Sequence, residues 1–127
     1  MLDINAMILK YNKEQIAIKQ LKIKSIHKDI IRLKQENRNI GDKVNSFKNH
    51  VDMNTSKMYR VQGHAYMDWY KTYEDRINRD LTTIEYLRKL QEYNSKLINK
   101  HRAKIKALRS ELQELKKELS VLKGEKE

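Results

Sequence analysis

Apolar residues recur along this chain at alternating intervals of three and four, in two long blocks separated by a polar interval. In the first block Ile16, Ile23, Ile30, Val44 and Val51 share one heptad position. Ile26, Leu33, Ile40 and Phe47 share the position three residues later. Asn37 interrupts the first set, and Asn12 and Lys19 make the second set polar near the N-terminus. Such spacing draws one apolar stripe along an α-helix, and another helix must cover it.

The second block holds a single register for much longer. Tyr70, Ile77, Ile84, Ile98, Ile105, Leu112 and Leu119 fall in one set, with Gln91 as its polar member. Tyr66, Tyr73, Leu87, Leu108, Leu115 and Leu122 fall in the other, broken by Asp80, Asn94 and His101. Between the blocks lies DMNTSKMYRVQG, whose Asp, Asn, Thr and Ser side chains bond nearby backbone groups and favour caps and turns. Gly63 closes that interval with a residue free to adopt conformations others resist.

The pattern therefore predicts an all-α, antiparallel two-helix hairpin of coiled-coil character, forming one domain. Helix one spans about residues 5–52, the turn about 53–63 and helix two about 64–123. A hairpin centred on about residue 58 sets Asn37 opposite Asp80, a polar layer that costs stability and fixes register. On that geometry the leucine-rich tail ending at Leu122 outruns the apolar part of helix one, which predicts a further partner for Leu108, Leu112, Leu115, Leu119 and Leu122.

Composition supports length over thickness. Of 127 residues 39% are hydrophobic and 35% charged, and there is no proline to break a helix. Cysteine is absent, which removes disulfides, thiolate metal sites and thiol nucleophiles. No window approaches the roughly 18 uninterrupted apolar residues of a membrane span. The start, MLDINAMILKYNKEQ, lacks the charged-then-apolar layout of a cleavable signal peptide. These features predict a cytoplasmic protein, or one co-exported without a cleavable signal.

The net charge of +11 is spread along the chain, with eleven Lys/Arg against five Asp/Glu in residues 1–50. A basic exterior favours acidic partners and speeds encounter in a salt-sensitive way. Catalysis finds no support. The four histidines, His27, His50, His64 and His101, have no metal-ligand spacing, no phosphate-cradling glycine loop occurs, and a two-helix hairpin offers no concave site. No cofactor is expected.

The aromatic cluster remains. Tyr66, Tyr70 and Tyr73 fall in the seam, whereas Trp69 flanks it, where a large amphipathic ring can anchor a partner helix. Arg60, Lys71 and Arg76 interleave with these rings as in single-strand nucleic-acid sites, but Asp68, Glu74 and Asp75 share the patch and repel phosphates. Protein is the better-matched partner, and Tyr66, Trp69, Tyr70 and Tyr73 are the candidates to bind it.

Val61-Gln62-Gly63-His64-Ala65 followed by Trp69 resembles the W-x-G-x-A-x-x-x-F pattern of small type VII secretion substrates. With Tyr66 and Tyr73 it also resembles the L-x-G-x-A-Y pattern of LXG-type toxin domains. Val61 stands where those families carry tryptophan or leucine, and the Tyr-x-x-x-Asp/Glu export signal expected after the second helix has no counterpart there. The resemblance implies a helical hairpin with Val61, Gly63 and Ala65 at its turn. It further implies a non-enzymatic helper or targeting partner that binds a toxin's helical N-terminal domain, a second small helical protein, or another copy of itself. The competing expectation is a basic coiled-coil stalk of a type III or flagellar export ATPase, for which length and charge suit equally well.

Overall fold

The computed structural model describes residues 3–61 and 67–124. Two helices, α1 (Ile4–Arg60) and α2 (Met67–Leu122), account for nearly all of these, with no strand among the described residues. They pack against each other antiparallel, so the chain is an all-α helical hairpin.

The ends of the helices follow from local chemistry. Asp3 caps α1, its Oδ1 accepting the amide of Ala6 at 3.3 Å. Lys57 and Arg60 lie in the last turn of α1, where positive charge opposes the helix dipole. Asp68 does the converse in the first turn of α2. At the far end Gly124 adopts φ 73°, and its amide donates to the Val121 carbonyl at 3.0 Å. This left-handed conformation closes the helix and suits glycine.

The expected turn over about residues 53–63 is too early. α1 continues to Arg60, and Val61 still donates to the Lys57 carbonyl at 3.2 Å. The heptad continues with it: Val51, Asn54, Met58 and Val61 are all half-buried. Covering that stripe outweighs the turn preference of Asn54, Thr55 and Ser56. Thr55 instead folds its hydroxyl back onto the Val51 carbonyl at 2.7 Å, inside the helix.

The later reversal changes the register. Cross-helix pairs such as Asn37–Asn94 and Lys19–Glu111 are centred on about residue 65, so Asn37 does not face Asp80. It also equalises the helices, at 57 and 56 residues. The tail of α2 is consequently matched by the first turns of α1, and the predicted overhang does not exist.

By packing, the chain divides into two compact units. The central unit is Leu33–Lys96, and the terminal unit joins Met1–Arg32 to Leu97–Glu127. In the central unit Leu33, Val44 and Ile84 are buried; in the terminal unit Ile26, Ile30, Ile98, Ile105, Leu108 and Leu112 are. Among the described residues no large side chain is wholly enclosed, because a single seam between two helices covers each residue from one side only.

Candidate interaction surfaces

In the central unit the polar layer is built from four side chains. Asn37 Nδ2 donates to the Gln91 carbonyl at 3.3 Å and to Ser95 Oγ at 3.4 Å. Gln91 Nε2 returns a bond to the Asn37 carbonyl at 3.0 Å, and buried Asn94 donates to Asn37 Oδ1 at 3.1 Å. Ser95 closes the layer on the Gln91 carbonyl at 2.9 Å. Among the described residues no buried side-chain nitrogen or oxygen lacks a partner. The layer thus avoids the cost of an unsatisfied buried polar group while admitting few alternative registers.

The aromatic candidates separate cleanly. Tyr70 and Tyr73 are half-buried, and the Arg76 guanidinium lies 5.8 Å from the Tyr73 ring centre, a cation–π distance. Trp69 is 60% exposed and projects away from the seam, as its flanking heptad position requires. Gly63, Ala65 and Tyr66 lie outside the described residues, and Val61 is half-buried.

The leucines proposed for a partner are placed otherwise. Leu108 and Leu112 are buried and Leu115, Leu119 and Leu122 half-buried, because α1 reaches far enough to cover them. Leu108 and Leu112 belong to the core of the terminal unit, and the other three border it. A partner cannot bind through Leu108 or Leu112 without first separating the helices.

In the terminal unit the exposed apolar side chains fall mostly on the opposite helix, with Val121 exposed on α2. Ile4, Met7, Ile8, Tyr11, Ile18 and Leu21 are 41–68% exposed on α1. Ile4, Tyr11 and Ile18 repeat every seven residues, and Met7 and Leu21 hold the position three later, with Glu14 between them. This is a second heptad stripe, distinct from the seam, and it was legible in the sequence once α1 was allowed two registers instead of one.

Charge borders this stripe on both flanks. On the α2 side, Tyr11 and Gln15 share an open groove with Glu111, Glu114 and Glu118. Lys19 Nζ donates to Glu111 Oε2 at 2.6 Å, and this hydrogen bond, then the lysine charge, holds the Glu111 carboxyl below its ordinary value of 4.5. On the other flank Lys10 and Lys13 line a shallow recess with Ala6, Leu9, Ala17 and the stripe's own Glu14.

Among the described residues no three His, Asp or Glu side chains converge as metal ligands, and no helix is long and apolar enough to cross a membrane. No family model, curated protein or solved structure matches the chain.

Proposed function

We propose that this protein is a non-enzymatic helical partner, one that binds the helical domain of a secreted toxin in a type VII-like secretion system. The observation that supports this reading is Trp69. A lone tryptophan held 60% exposed at the start of α2, beside half-buried Tyr70 and Tyr73, is an uncovered aromatic anchor of the kind that dominates protein interfaces. The motif resemblance over Val61–Tyr73 supplies the class of partner. In this reading the protein acts in the cytoplasm, and any export occurs with its partner.

Co-expression with the helical N-terminal domain of an LXG-type toxin tests this directly. A stable complex on size exclusion is expected, with Trp69→Ala weakening it by about 2 kcal/mol or more. Failure to form any complex with such domains would remove the secretion reading.

The stalk reading keeps one observation in its favour: helices of 57 and 56 residues paired along one seam, with a net charge of +11. Stimulation of an export ATPase by the purified protein, insensitive to Trp69→Ala, would select it instead.

A further inference from the structure

We infer that the uncovered α1 stripe in the terminal unit is a self-association face, on which a second copy of this chain docks with its helices parallel. Five apolar side chains of the stripe, each at least two-fifths exposed, leave an apolar patch on the order of several hundred Å² on a chain with little core to spare. The heptad spacing of Ile4, Tyr11 and Ile18 is the form a helix takes when another helix lies along it.

The flanking charges identify the occupant. An anionic lipid surface meets Lys10 and Lys13 on one flank but is repelled by Glu114 and Glu118 on the other. A uniformly acidic helix meets the same conflict. A second copy brings both signs. The Lys19–Glu111 bond sets the level of the two helices, so Lys13, six residues earlier, is level with about residue 117. Lys10 and Lys13 therefore stand within about one helical turn of the level of Glu118, and Lys13 within about one turn of Glu114. A two-fold axis running along the helices exchanges the flanks, placing each copy's lysines against the other's glutamates. An axis across the helices would set like charges together on both flanks, so the flank charges, which outnumber the one facing pair of Glu14 carboxylates, select the parallel arrangement. Glu114 and Glu118 make no ion pair within the chain among the described residues, which leaves them available.

This inference rests on reading the chain as a binding module, but it concerns a different surface from Trp69, and its test needs no other protein. Sedimentation equilibrium of the purified full-length chain should show a monomer–dimer equilibrium in the micromolar range. Lys10→Glu/Lys13→Glu and Glu114→Lys/Glu118→Lys, each checked for unchanged helicity by circular dichroism, should each dimerise at least about tenfold more weakly. An equimolar mixture of the two variants should recover association as a heterodimer, because every flank contact is again between opposite charges. Tyr11→Ser/Ile18→Ser should lose association without charge change. A wild-type chain that stays monomeric to about 100 µM overturns the proposal whatever the variants do. So does a wild-type monomer that instead co-floats with vesicles containing anionic lipid, or a dimer indifferent to both charge reversals.

Discussion

Asn37 and Asn94 illustrate how a seam can be polar without being unsatisfied. Their bond at 3.1 Å depends on both amides, so replacing Asn37 leaves buried Asn94 with only its long 3.5 Å contact to Glu36 Oε2. Asn37→Leu alone should lower stability by about 1–2 kcal/mol, whereas Asn37→Leu/Asn94→Leu should recover that loss and exceed the wild type. A double-mutant cycle from thermal or urea unfolding measures the coupling, and additive losses would argue against a shared layer. Two glycines behave oppositely. An added methyl at Gly41 would meet Gln91 Nε2 at 3.4 Å, an ordinary contact, so Gly41→Ala should stabilise α1 by about 0.5–1 kcal/mol. Gly124 is open to solvent but held at φ 73°, so Gly124→Ala should destabilise, by about 1 kcal/mol, through strain alone. Glu111 contributes a modest pH dependence, tempered by its exposure to solvent. Its folded-state pKa is depressed below 4.5 by the Lys19 hydrogen bond and charge, so its contribution favours the folded state above the unfolded value. That contribution is lost as pH falls through the lower, folded value. Glu111→Gln should therefore differ from wild type in melting temperature at neutral pH and converge with it in strong acid.

At the scale of the helix, the seam was legible because burial imposes a period that side-chain chemistry rarely disguises. Ile26, Ile30, Leu33 and Val44 in α1, and Ile84, Ile98, Ile105, Leu108 and Leu112 in α2, all occupy positions the heptads assign. What the pattern hid was the turn. Asn54, Thr55 and Ser56 have turn chemistry, but Met58 and Val61 extend the apolar stripe past them, and cross-helix burial prevails over local preference. An error of a few residues there doubles across the hairpin, because moving the pivot shifts every facing pair by twice as much. It was enough to trade Asp80 for Asn94 opposite Asn37 and to make Leu108 and Leu112 look unpartnered. The same logic hides the candidate surface. A helix with two stripes presents two registers, and the one that pairs internally dominates the pattern. Leu112→Ala separates the two roles of the tail: as a core residue it should cost about 2–3 kcal/mol in unfolding experiments on the isolated protein. A loss of partner affinity with stability unchanged would restore the leucines to an outer interface.

For the whole molecule, the decisive quantity is how little interior two helices can make. Each seam residue is covered from one side, no large side chain among the described residues is fully enclosed, and the five apolar residues of the α1 stripe stay wet. A fold of this kind gains from any contact that covers apolar surface, and its stability becomes coupled to its concentration by mass action. If the α1 stripe binds a second copy, the melting temperature should rise by roughly 2–4 °C for each tenfold increase in protein concentration. Glu14 offers a sharper form of the same test. It is the one charge on the stripe, falling at the position that Met7 and Leu21 occupy one heptad to either side. In a monomer Glu14→Leu exposes another apolar group and gains little. In a parallel pair it removes two facing carboxylates and adds a continuous apolar layer, so it should tighten the dimer and steepen the concentration dependence. Equal melting temperatures across a hundredfold range of concentration, for both wild type and Glu14→Leu, would mean that the hairpin stands alone and that its second stripe serves some other molecule.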